Sequence, residues 1–336
     1  MSEPASQASG DDLQPDGEFG LIARFAARVG APPSPEGPGD DAAVVTIAGG
    51  RFVATTDLLA ENVHFRLDWS GGYDVGRRAA AANLADVVAM GAVPTALLVA
   101  VSVPPSLGAA FLDALADGLR DECALVGARI VGGDTIRSDD RLTLSVTALG
   151  DLEGREPVLR SGAQPGDVLV LAGRVGWAAA GLAWLAARPA GGADPAATDP
   201  VLPFVEAHRR PVVPYAAGPR LAVGGARAMC DVSDGLVADA GHLATASGVA
   251  LHLDSTRLRD PALDAIRGAL GVSTDIPTWE LTGGDDHALL AALPPESGLL
   301  TEARFHVVGS VSAGEGVYVD GVFADAGGGW DHFDRP

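Results

Sequence analysis

The 336-residue sequence contains no lysine, so all 23 of its basic residues are arginines. This absence excludes a Walker A lysine, the strand lysine of protein kinases and a Schiff-base lysine. If this protein handles phosphate groups, it must contact them with arginine side chains, backbone N–H groups or metal ions.

Cysteines and long apolar runs are also scarce. Cys123 and Cys230 are far apart in the sequence and lie in apolar surroundings, which favours buried free thiols in a reducing compartment. Apolar runs such as "ALLVAVSV" are too short to span a bilayer. Residues 1–16 are acidic and lack the basic and apolar regions of a signal peptide, so we expect a disordered tail there. Together these features predict a cytoplasmic protein with no membrane partner.

Basic residues are far fewer than acidic residues in this chain. The chain has 44 acidic and 23 basic residues, which gives a formal net charge of −21. Such a chain repels nucleic acid, and we expect no nucleic-acid partner. It would also repel nucleotides unless metal cations accompany them. The length and the 47% content of hydrophobic residues favour two domains.

Apolar periodicity predicts a mixed α/β domain over residues 17–150 and an α+β domain over residues 151–336. The strands expected in the first domain are Ala43–Ile47, Phe52–Thr56, Leu97–Val103, Ala128–Val131 and Leu142–Leu149. Helices are expected over about 20–30, 73–90 and 106–126, and over 176–187 in the second domain. Near the end, "GVYVDGVFA" predicts a hairpin that turns on Asp320 and Gly321.

Aspartates flanked by Gly, Ser or Thr recur next to apolar strands. Five segments show this pattern: "PGDDAAVV", "FVATTDLLAENVHF", "RIVGGDT", "AMCDVSDGL" and "LTGGDDHALL". Asp86 adds a carboxylate to an Ala-rich helix, three residues after Asn83 and so on the same helix face. Carboxylate and hydroxyl oxygens are the ligands that Mg²⁺ prefers, and glycine lets the backbone approach a phosphate closely.

Each of these residues also has an ordinary structural interpretation. Asp234 and Asp286 are plausible helix N-caps, His64 could make an ordinary polar contact, and Asp40 could shape a turn. Five such segments in one chain, together with Asp86, favour a site that binds several metal ions and a phosphorylated ligand.

In their order along the chain, these segments resemble the thiamine-monophosphate kinase family. This family belongs to the superfamily that also contains aminoimidazole ribonucleotide synthetase and selenophosphate synthetase. The resemblance covers roughly residues 17–333. It is most specific in "GEFGLI", in the spacing of "TTDLLAENVHF" and in the closing "DHF".

The resemblance implies a fold and a reaction. The fold would be the two-domain, aminoimidazole ribonucleotide synthetase-like α/β (α+β) fold, with the N-terminal sheets of two chains paired into a barrel-like homodimer. ATP, with several Mg²⁺ ions, would phosphorylate thiamine monophosphate to thiamine diphosphate. The substrate phosphate is already ionised, so positioning and charge neutralisation would suffice.

The resemblance also implies roles for individual residues. The metal ligands would be Asp41, Thr55, Thr56, Asp57, Asp86, Asp134, Asp231 and Asp234, of which Asp57, Asp134 and Asp231 would be catalytic. ATP would be contacted by Gly133, Asp134, Arg160 and Ser233. Thiamine phosphate would be contacted by His64, Asp285 and Trp330.

The chain departs from the family pattern at a few positions. Asp285 replaces a glutamate, His287 stands where a tyrosine is common, and Trp330 often appears as tyrosine. Because charge and aromatic character persist, we expect altered substrate affinity and not a loss of function.

Three alternatives remain open at this point. Another ATP-dependent enzyme of the same superfamily is disfavoured, because the reactive cysteine of a selenophosphate synthetase and the C-terminal cysteine of a hydrogenase-maturation protein are absent. A nucleotide- or Mg²⁺-binding regulatory protein would bind ATP without turnover. An acidic structural protein would leave the five aspartate segments unexplained.

Overall fold

The structure is a computed structural model that describes residues 27, 32–36, 39–48, 50–189, 192–272 and 277–324. Of the helix predicted over residues 20–30, Ala27 is described, and it is helical. The acidic tail and Trp330 lie outside the described residues.

The first half of the chain forms a five-stranded sheet in the order β1-β2-β5-β3-β4. All neighbours are antiparallel except β3 and β4, which are parallel. The strands are β1 (Ala43–Ile47), β2 (Gly50–Ala60), β3 (Val93–Val103), β4 (Arg129–Arg137) and β5 (Thr143–Asp151). The five predicted strands are therefore present, and four of them are longer than predicted or shifted.

The largest difference lies in β4. The sequence predicts a strand that ends at Val131, before the "GGDT" segment, whereas β4 continues to Arg137. Gly133 permits this continuation, because a Cβ at this position would lie 1.9 Å from the carbonyl oxygen of Val99 on β3. The glycine therefore serves a close approach between two strands.

One face of this sheet is covered by two helices, α1 (Gly72–Ala89) and α2 (Ala109–Ala124). Along β5 the residues alternate between the two faces, and Leu144, Val146 and Ala148 on the helix side are fully buried. The opposite face carries exposed apolar side chains, including Leu58 (58% exposed) and Leu98 (41% exposed). The sheet thus has one packed face and one open face.

Helix α1 is buried on both sides, which explains its Ala-rich and only weakly amphipathic sequence. Leu84 and Val87 pack into the core of the first sheet. Ala85 and Val88 pack into a second core together with strands of the other half of the chain, such as Met229. Asp86 therefore lies on a helix between the two sheets.

The second half forms a seven-stranded sheet in the order β12-β11-β8-β10-β6-β9-β7. Only the β8–β11 pair is parallel within this sheet. The strands are β6 (Val168–Ala172), β7 (Ala228–Val232), β8 (Ala250–Leu253), β9 (Ala288–Leu293), β10 (Phe305–Ser312), β11 (Gly316–Val319) and β12 (Val322–Ala324). The predicted hairpin is confirmed, with Asp320 and Gly321 both at positive φ (50° and 82°) between β11 and β12.

The helices of this half pack against the sheet or against one another. They are α3 (Trp177–Ala187), α4 (Leu202–Arg209), α5 (Ala217–Val223), α6 (Leu236–Ser247), α7 (Ser255–Leu258), α8 (Pro261–Leu270) and α9 (Thr278–Thr282), with a 3-10 turn at Gly298–Thr301. Both cysteines are buried free thiols, as predicted. None of the helices in the described part of the chain combines the length and apolarity needed to cross a membrane.

Candidate active site

Three carboxylates from distant parts of the sequence meet where the two halves join. Asp41 lies just before β1, Asp86 on α1 and Asp231 on β7, and one carboxylate oxygen from each lies within 4.8 Å of the others. Asp41 and Asp231 are 8% and 2% exposed. We call these three residues the carboxylate cluster.

Strand β2 adds two more of the predicted ligands next to the carboxylate cluster. The Thr55 hydroxyl donates to Oδ2 of Asp86 (2.8 Å), and the backbone N–H of Asp57 donates to Oδ1 of Asn83 (3.1 Å). Thr55 and Asp57 both face α1, because they pair with the buried residues Ala148 and Val146 on β5. Thr56 faces the open side, where its hydroxyl donates to the Val146 carbonyl (3.0 Å).

Burial and mutual repulsion raise the proton affinity of these carboxylates. Burial, opposed by Arg160 and reinforced by the charge of Asp231, raises the pKa of Asp41 to about 7. Burial and then the charges of Asp57, Asp231 and Asp41 hold the pKa of Asp86 well above its usual range. Burial raises the pKa of Asp57 as well. Carboxylates this close together and shielded from water repel one another, and a bound cation would stabilise their ionised forms.

Oδ2 of Asp41 is buried and has no hydrogen-bond partner among the described residues. A buried polar atom without a hydrogen-bond partner lowers the stability of the fold by about 1–3 kcal/mol, and by more when the group is charged. A bound ligand that contacts the atom removes this penalty. An oxygen-only donor set with one unsatisfied carboxylate oxygen fits Mg²⁺, which takes hard oxygen ligands. The residues present therefore suit a divalent cation.

Arg160 supplies a positive charge beside the carboxylate cluster. Its guanidinium Nη2 donates to Oδ1 of Asp41 (2.7 Å), and its backbone N–H donates to Oδ1 of Asp40 (2.6 Å). Asp40 thus shapes the chain, whereas Asp41 faces the site. Arg160 was expected to contact ATP, and in this structure its side chain is paired with Asp41.

Two Gly-containing loops run side by side after β7 and before β9. They carry Ser233 and Asp234 on one side and Asp285 on the other. The backbone N–H of Asp285 donates to the Ser233 carbonyl (2.7 Å). A Cβ at Gly284 would lie 2.4 Å from that same carbonyl oxygen, so this close approach requires glycine. Asp285 itself is at positive φ (67°).

Asp285 is held by an arginine that the sequence analysis did not single out. Nη2 of Arg78, on α1, lies 2.7 Å from Oδ2 of Asp285, and Nη1 donates to the His208 carbonyl (2.5 Å). The pKa of His208 is lowered to about 3 by burial and by the charge of Arg78, so this ring is neutral. The sequence feature that could have identified Arg78 is its position at the start of the Ala-rich run "RRAAAANLADVV", where a charged side chain on a buried helix needs a partner.

Two other polar residues lie at the site without having been predicted as site residues, and of these His287 had been noted only for replacing a common tyrosine. The Asp239 carboxylate on α6 accepts from the backbone N–H groups of Asp234 and Gly235 (3.1 Å each). His287 Nδ1 lies 2.9 Å from Oδ2 of Asp231. Asp286 behaves as a structural cap, since it accepts from the N–H groups of Gly176 (2.5 Å) and Ala178 (2.9 Å) where α3 begins.

The remaining predicted residues lie apart from the carboxylate cluster or outside the described chain. His64 follows β2, and its Nδ1 accepts from the backbone N–H of Ala60 (3.0 Å). Gly133 and Asp134 lie on β4, and every residue of this strand is exposed. Three inter-strand spacings separate β4 from β2, roughly 14 Å. Trp330 is among the residues that the structure does not describe.

Asp134 also lies on the opposite face of the sheet from Asp57. Ala100 pairs with both Asp134 and Ser145, and Ser145 pairs with Leu58, so Asp134 shares the open face with Leu58. Within one chain, therefore, β4 does not bring its carboxylate to the carboxylate cluster.

Two family models match the chain. The N-terminal domain of AIR synthase related proteins matches residues 39–152, and the C-terminal domain of the same proteins matches residues 164–321. The chain is 44% identical to a thiamine-monophosphate kinase of Mycobacterium tuberculosis over 96% of this chain and 94% of that one. It is 40% identical to a thiamine-monophosphate kinase of Corynebacterium glutamicum over 87% and 86% of the two chains.

A solved structure has the same fold. AaThiL complexed with AMPPCP and TMP superposes with a TM-score of 0.84 at 30% identity, covering 98% of this chain and all of that one. The chain belongs to the thiamine-monophosphate kinase family, within the AIR synthase related proteins.

Proposed function

We propose that this protein transfers the γ-phosphoryl group of ATP to thiamine monophosphate, giving thiamine diphosphate and ADP. The observation that carries the proposal is the carboxylate cluster of Asp41, Asp86 and Asp231, in which Asp41 and Asp231 are buried and Asp86 is half-buried. Support comes from the names of the relatives and from the structural relative that holds an ATP analogue, AMPPCP, together with TMP.

The reaction makes modest demands on the protein. An oxygen of the thiamine phosphate attacks the γ-phosphorus of ATP, and the bond between that phosphorus and the β,γ-bridging oxygen breaks, so that ADP leaves. The attacking oxygen is already ionised at neutral pH, and no general base is needed. What the protein must provide is alignment and relief of repulsion between two anions.

The aspartates supply the ligands for that relief. We propose that Asp41, Thr55, Thr56, Asp57, Asp86, Asp134, Asp231 and Asp234 hold several Mg²⁺ ions. Bound Mg²⁺ would neutralise the phosphate oxygens and the charge that develops as the γ-phosphoryl group is transferred. Asp57, Asp134 and Asp231 are the ligands we propose to be catalytic.

Neutral and cationic groups of the chain would orient the nucleotide. Arg160, with a planar guanidinium, suits two phosphate oxygens, and it already lies beside Asp41. Gly133, Asp134 and Ser233 complete the proposed ATP contacts. His64, Asp285 and Trp330 are proposed for the thiamine phosphate, with Arg78 holding Asp285 in place.

A second copy of the chain would complete the site. The open face of the first sheet carries Leu58 and Leu98, and β4 is an exposed edge strand that ends this sheet. Exposed edges and apolar faces of this kind are typical of sheets that pair with another chain. We propose a homodimer in which the two five-stranded sheets close into a barrel, and in which Asp134 of the partner subunit approaches Thr56 on the open face.

The function is tested with the purified full-length chain, ATP, Mg²⁺ and thiamine monophosphate, with chromatography of the products. We expect thiamine diphosphate with thiamine monophosphate and none without an acceptor. A parallel reaction with thiamine tests whether the acceptor must be a phosphate. ATP binding without any product would overturn the proposal and would favour a regulatory nucleotide-binding protein.

A further inference from the structure

His287 contacts the carboxylate cluster from a position to which no role has been assigned. Its Nδ1 lies 2.9 Å from Oδ2 of Asp231, and the side chains of His287 and Asp231 are 8% and 2% exposed. A carboxylate that binds a metal ion offers only acceptor oxygens, so in that state Nδ1 of the imidazole donates the hydrogen of this contact. The contact therefore fixes which ring nitrogen is protonated.

The backbone holds the imidazole in this orientation. His287 directly precedes β9, which pairs with β7, the strand that carries Asp231. The backbone N–H of His287 donates to the Val232 carbonyl (2.9 Å), so the ladder between these strands extends to His287. His287 also has a positive φ of 50°. This conformation is strained for any residue other than glycine, and such strain persists where surrounding contacts hold it.

The hydrogen bond restricts how the Asp231 carboxylate can rotate. Without a partner, a carboxylate on a strand can turn about its last side-chain bond. With Oδ2 held by His287, the direction of both oxygens is set relative to Asp41 and Asp86, whose oxygens lie within 4.8 Å. A metal ion that demands near-octahedral geometry gains from ligands that are already oriented.

We propose that His287 is a positioning residue that orients Asp231 for a divalent cation in the carboxylate cluster. The inference rests on the proposed function in assuming that this cluster binds a divalent cation. His287 acts through Asp231, and it differs from the cluster residues in donating a hydrogen bond where they offer oxygens.

The test compares two amide substitutions at the same position. In His287→Asn the amide nitrogen lies close to the position of Nδ1, and in His287→Gln it reaches toward the position of Nε2. Both side chains are polar and uncharged, so the location of the donor is the main difference between them. Mn²⁺ serves as the probe, because its binding to the full-length protein can be followed by electron paramagnetic resonance without turnover.

We expect His287→Gln to weaken Mn²⁺ binding by about 10- to 100-fold, the usual effect of removing a partner that orients a metal ligand. His287→Asn should retain affinity close to that of the unsubstituted protein. His252 offers a matched control, because its Nε2 lies 2.8 Å from the Ser312 hydroxyl on a different part of the sheet. His252→Asn and His252→Gln should leave Mn²⁺ binding unchanged.

Equal Mn²⁺ affinities in His287→Asn, His287→Gln and the unsubstituted protein would overturn the inference. Equal weakening in both His287 variants would overturn it too, because the donor position would then not matter. If His287→Gln does not fold, the ring ¹⁵N signals of His287 in the unsubstituted protein decide. Hydrogen on Nδ1 is expected, and hydrogen on Nε2 alone would rule the contact out.

These results are separable from those on the proposed function. If the protein binds Mn²⁺ in the expected pattern but forms no thiamine diphosphate, the function fails and the role of His287 stands. If thiamine diphosphate forms but the Mn²⁺ affinity does not depend on the donor position, the proposed function stands and the role of His287 is wrong.

Discussion

The carboxylate cluster and strand β4 both carry predicted metal ligands, but in opposite surroundings. Asp41, Asp86 and Asp231 are drawn from three distant segments and share one largely buried space. Gly133 and Asp134 lie on a strand that is exposed along its whole length. An aspartate of suitable type therefore gains other ligands beside it only where tertiary contacts bring them there. Within one chain, the carboxylate cluster has such contacts and Asp134 does not.

The largest effect is expected inside the carboxylate cluster. Asp86→Asn should lower kcat by about 10³-fold, because losing a metal ligand forfeits several kcal/mol of charge stabilisation. The same change should raise the unfolding temperature of the metal-free protein, because it removes a half-buried negative charge that Asp57, Asp231 and Asp41 repel. Steady-state kinetics and calorimetry in EDTA measure the two effects.

Asp113→Asn is the control for that variant, since Asp113 is exposed on α2. It should change neither kcat nor the unfolding temperature. A catalytically normal Asp86→Asn protein would remove Asp86 from the set of ligands.

Strand β4 is tested by mixing two inactive proteins. Asp134→Asn should lower kcat by about 100-fold and leave the metal-free protein as stable as before, since Asp134 is exposed. If the partner subunit supplies Asp134, mixed dimers of Asp134→Asn and Asp86→Asn each contain one intact site. A refolded 1:1 mixture should then recover about a quarter of the unsubstituted activity.

Formation of the mixed dimers is verified with differently tagged chains. If Asp134→Asn is impaired and the mixed dimers recover no activity, each site takes its Asp134 from its own chain. That result would remove the contrast drawn between β4 and the carboxylate cluster.

A smaller effect is expected for the arginine that contacts the carboxylate cluster. Arg160→Lys should raise KM for ATP by about tenfold and KM for thiamine monophosphate less, because lysine keeps the charge but not the planar fork. Initial rates at varied concentrations of each substrate measure both constants. Arg51→Lys, which alters an exposed bidentate pair with Glu156, should change neither. Equal increases in both constants would place Arg160 outside the nucleotide contacts.

The smallest expected effect is on stability and depends on pH. The pKa of Asp41 is raised from 3.8 to about 7 in the folded protein, so the folded state binds a proton more tightly than the unfolded state. Its contribution to stability is present below about pH 4 and is lost as the pH rises toward 7. In EDTA the unfolding temperature should fall by ~2–5 °C from this source over that interval.

Calorimetry of the unsubstituted protein and two variants identifies the groups that cause this pH dependence. Asp86→Asn should flatten the pH profile, because it removes a charge coupled to Asp41. Asp134→Asn should leave the profile unchanged. A saturating concentration of Mg²⁺ should remove most of the pH dependence of the unsubstituted protein. A profile in EDTA that rises with pH would contradict the assignment.

Much of the fold could be predicted from local pattern. The strand Ala43–Ile47 has the bounds that were predicted, and the helix predicted over 73–90 is Gly72–Ala89. Strand β4 was predicted too short, because a pair of glycines usually indicates a loop. In this structure Gly133 instead allows a close approach to the neighbouring strand β3. Local pattern cannot carry that information.

The site was less accessible from the sequence. The aspartates could be recognised as ligand types, and the structure gathers Asp41, Asp86 and Asp231. The pairs Arg78–Asp285 and His287–Asp231 join residues more than 50 positions apart. No local rule predicts such pairs, because they form only when distant segments meet. The backbone N–H groups of Asp285 and His287, for example, bond the carbonyls of Ser233 and Val232.

The contacts between the two halves have a consequence for recombination among relatives. Asp41 on one side bonds Arg160 on the other, and Arg78 bonds Asp285. A chimera with its crossover after residue 152 and before residue 160 would place each of these partners in a different parent. Where the parents differ at these positions, the halves would inherit mismatched pairs. Functional chimeras of this family should therefore exchange Arg78 with Asp285 as a unit.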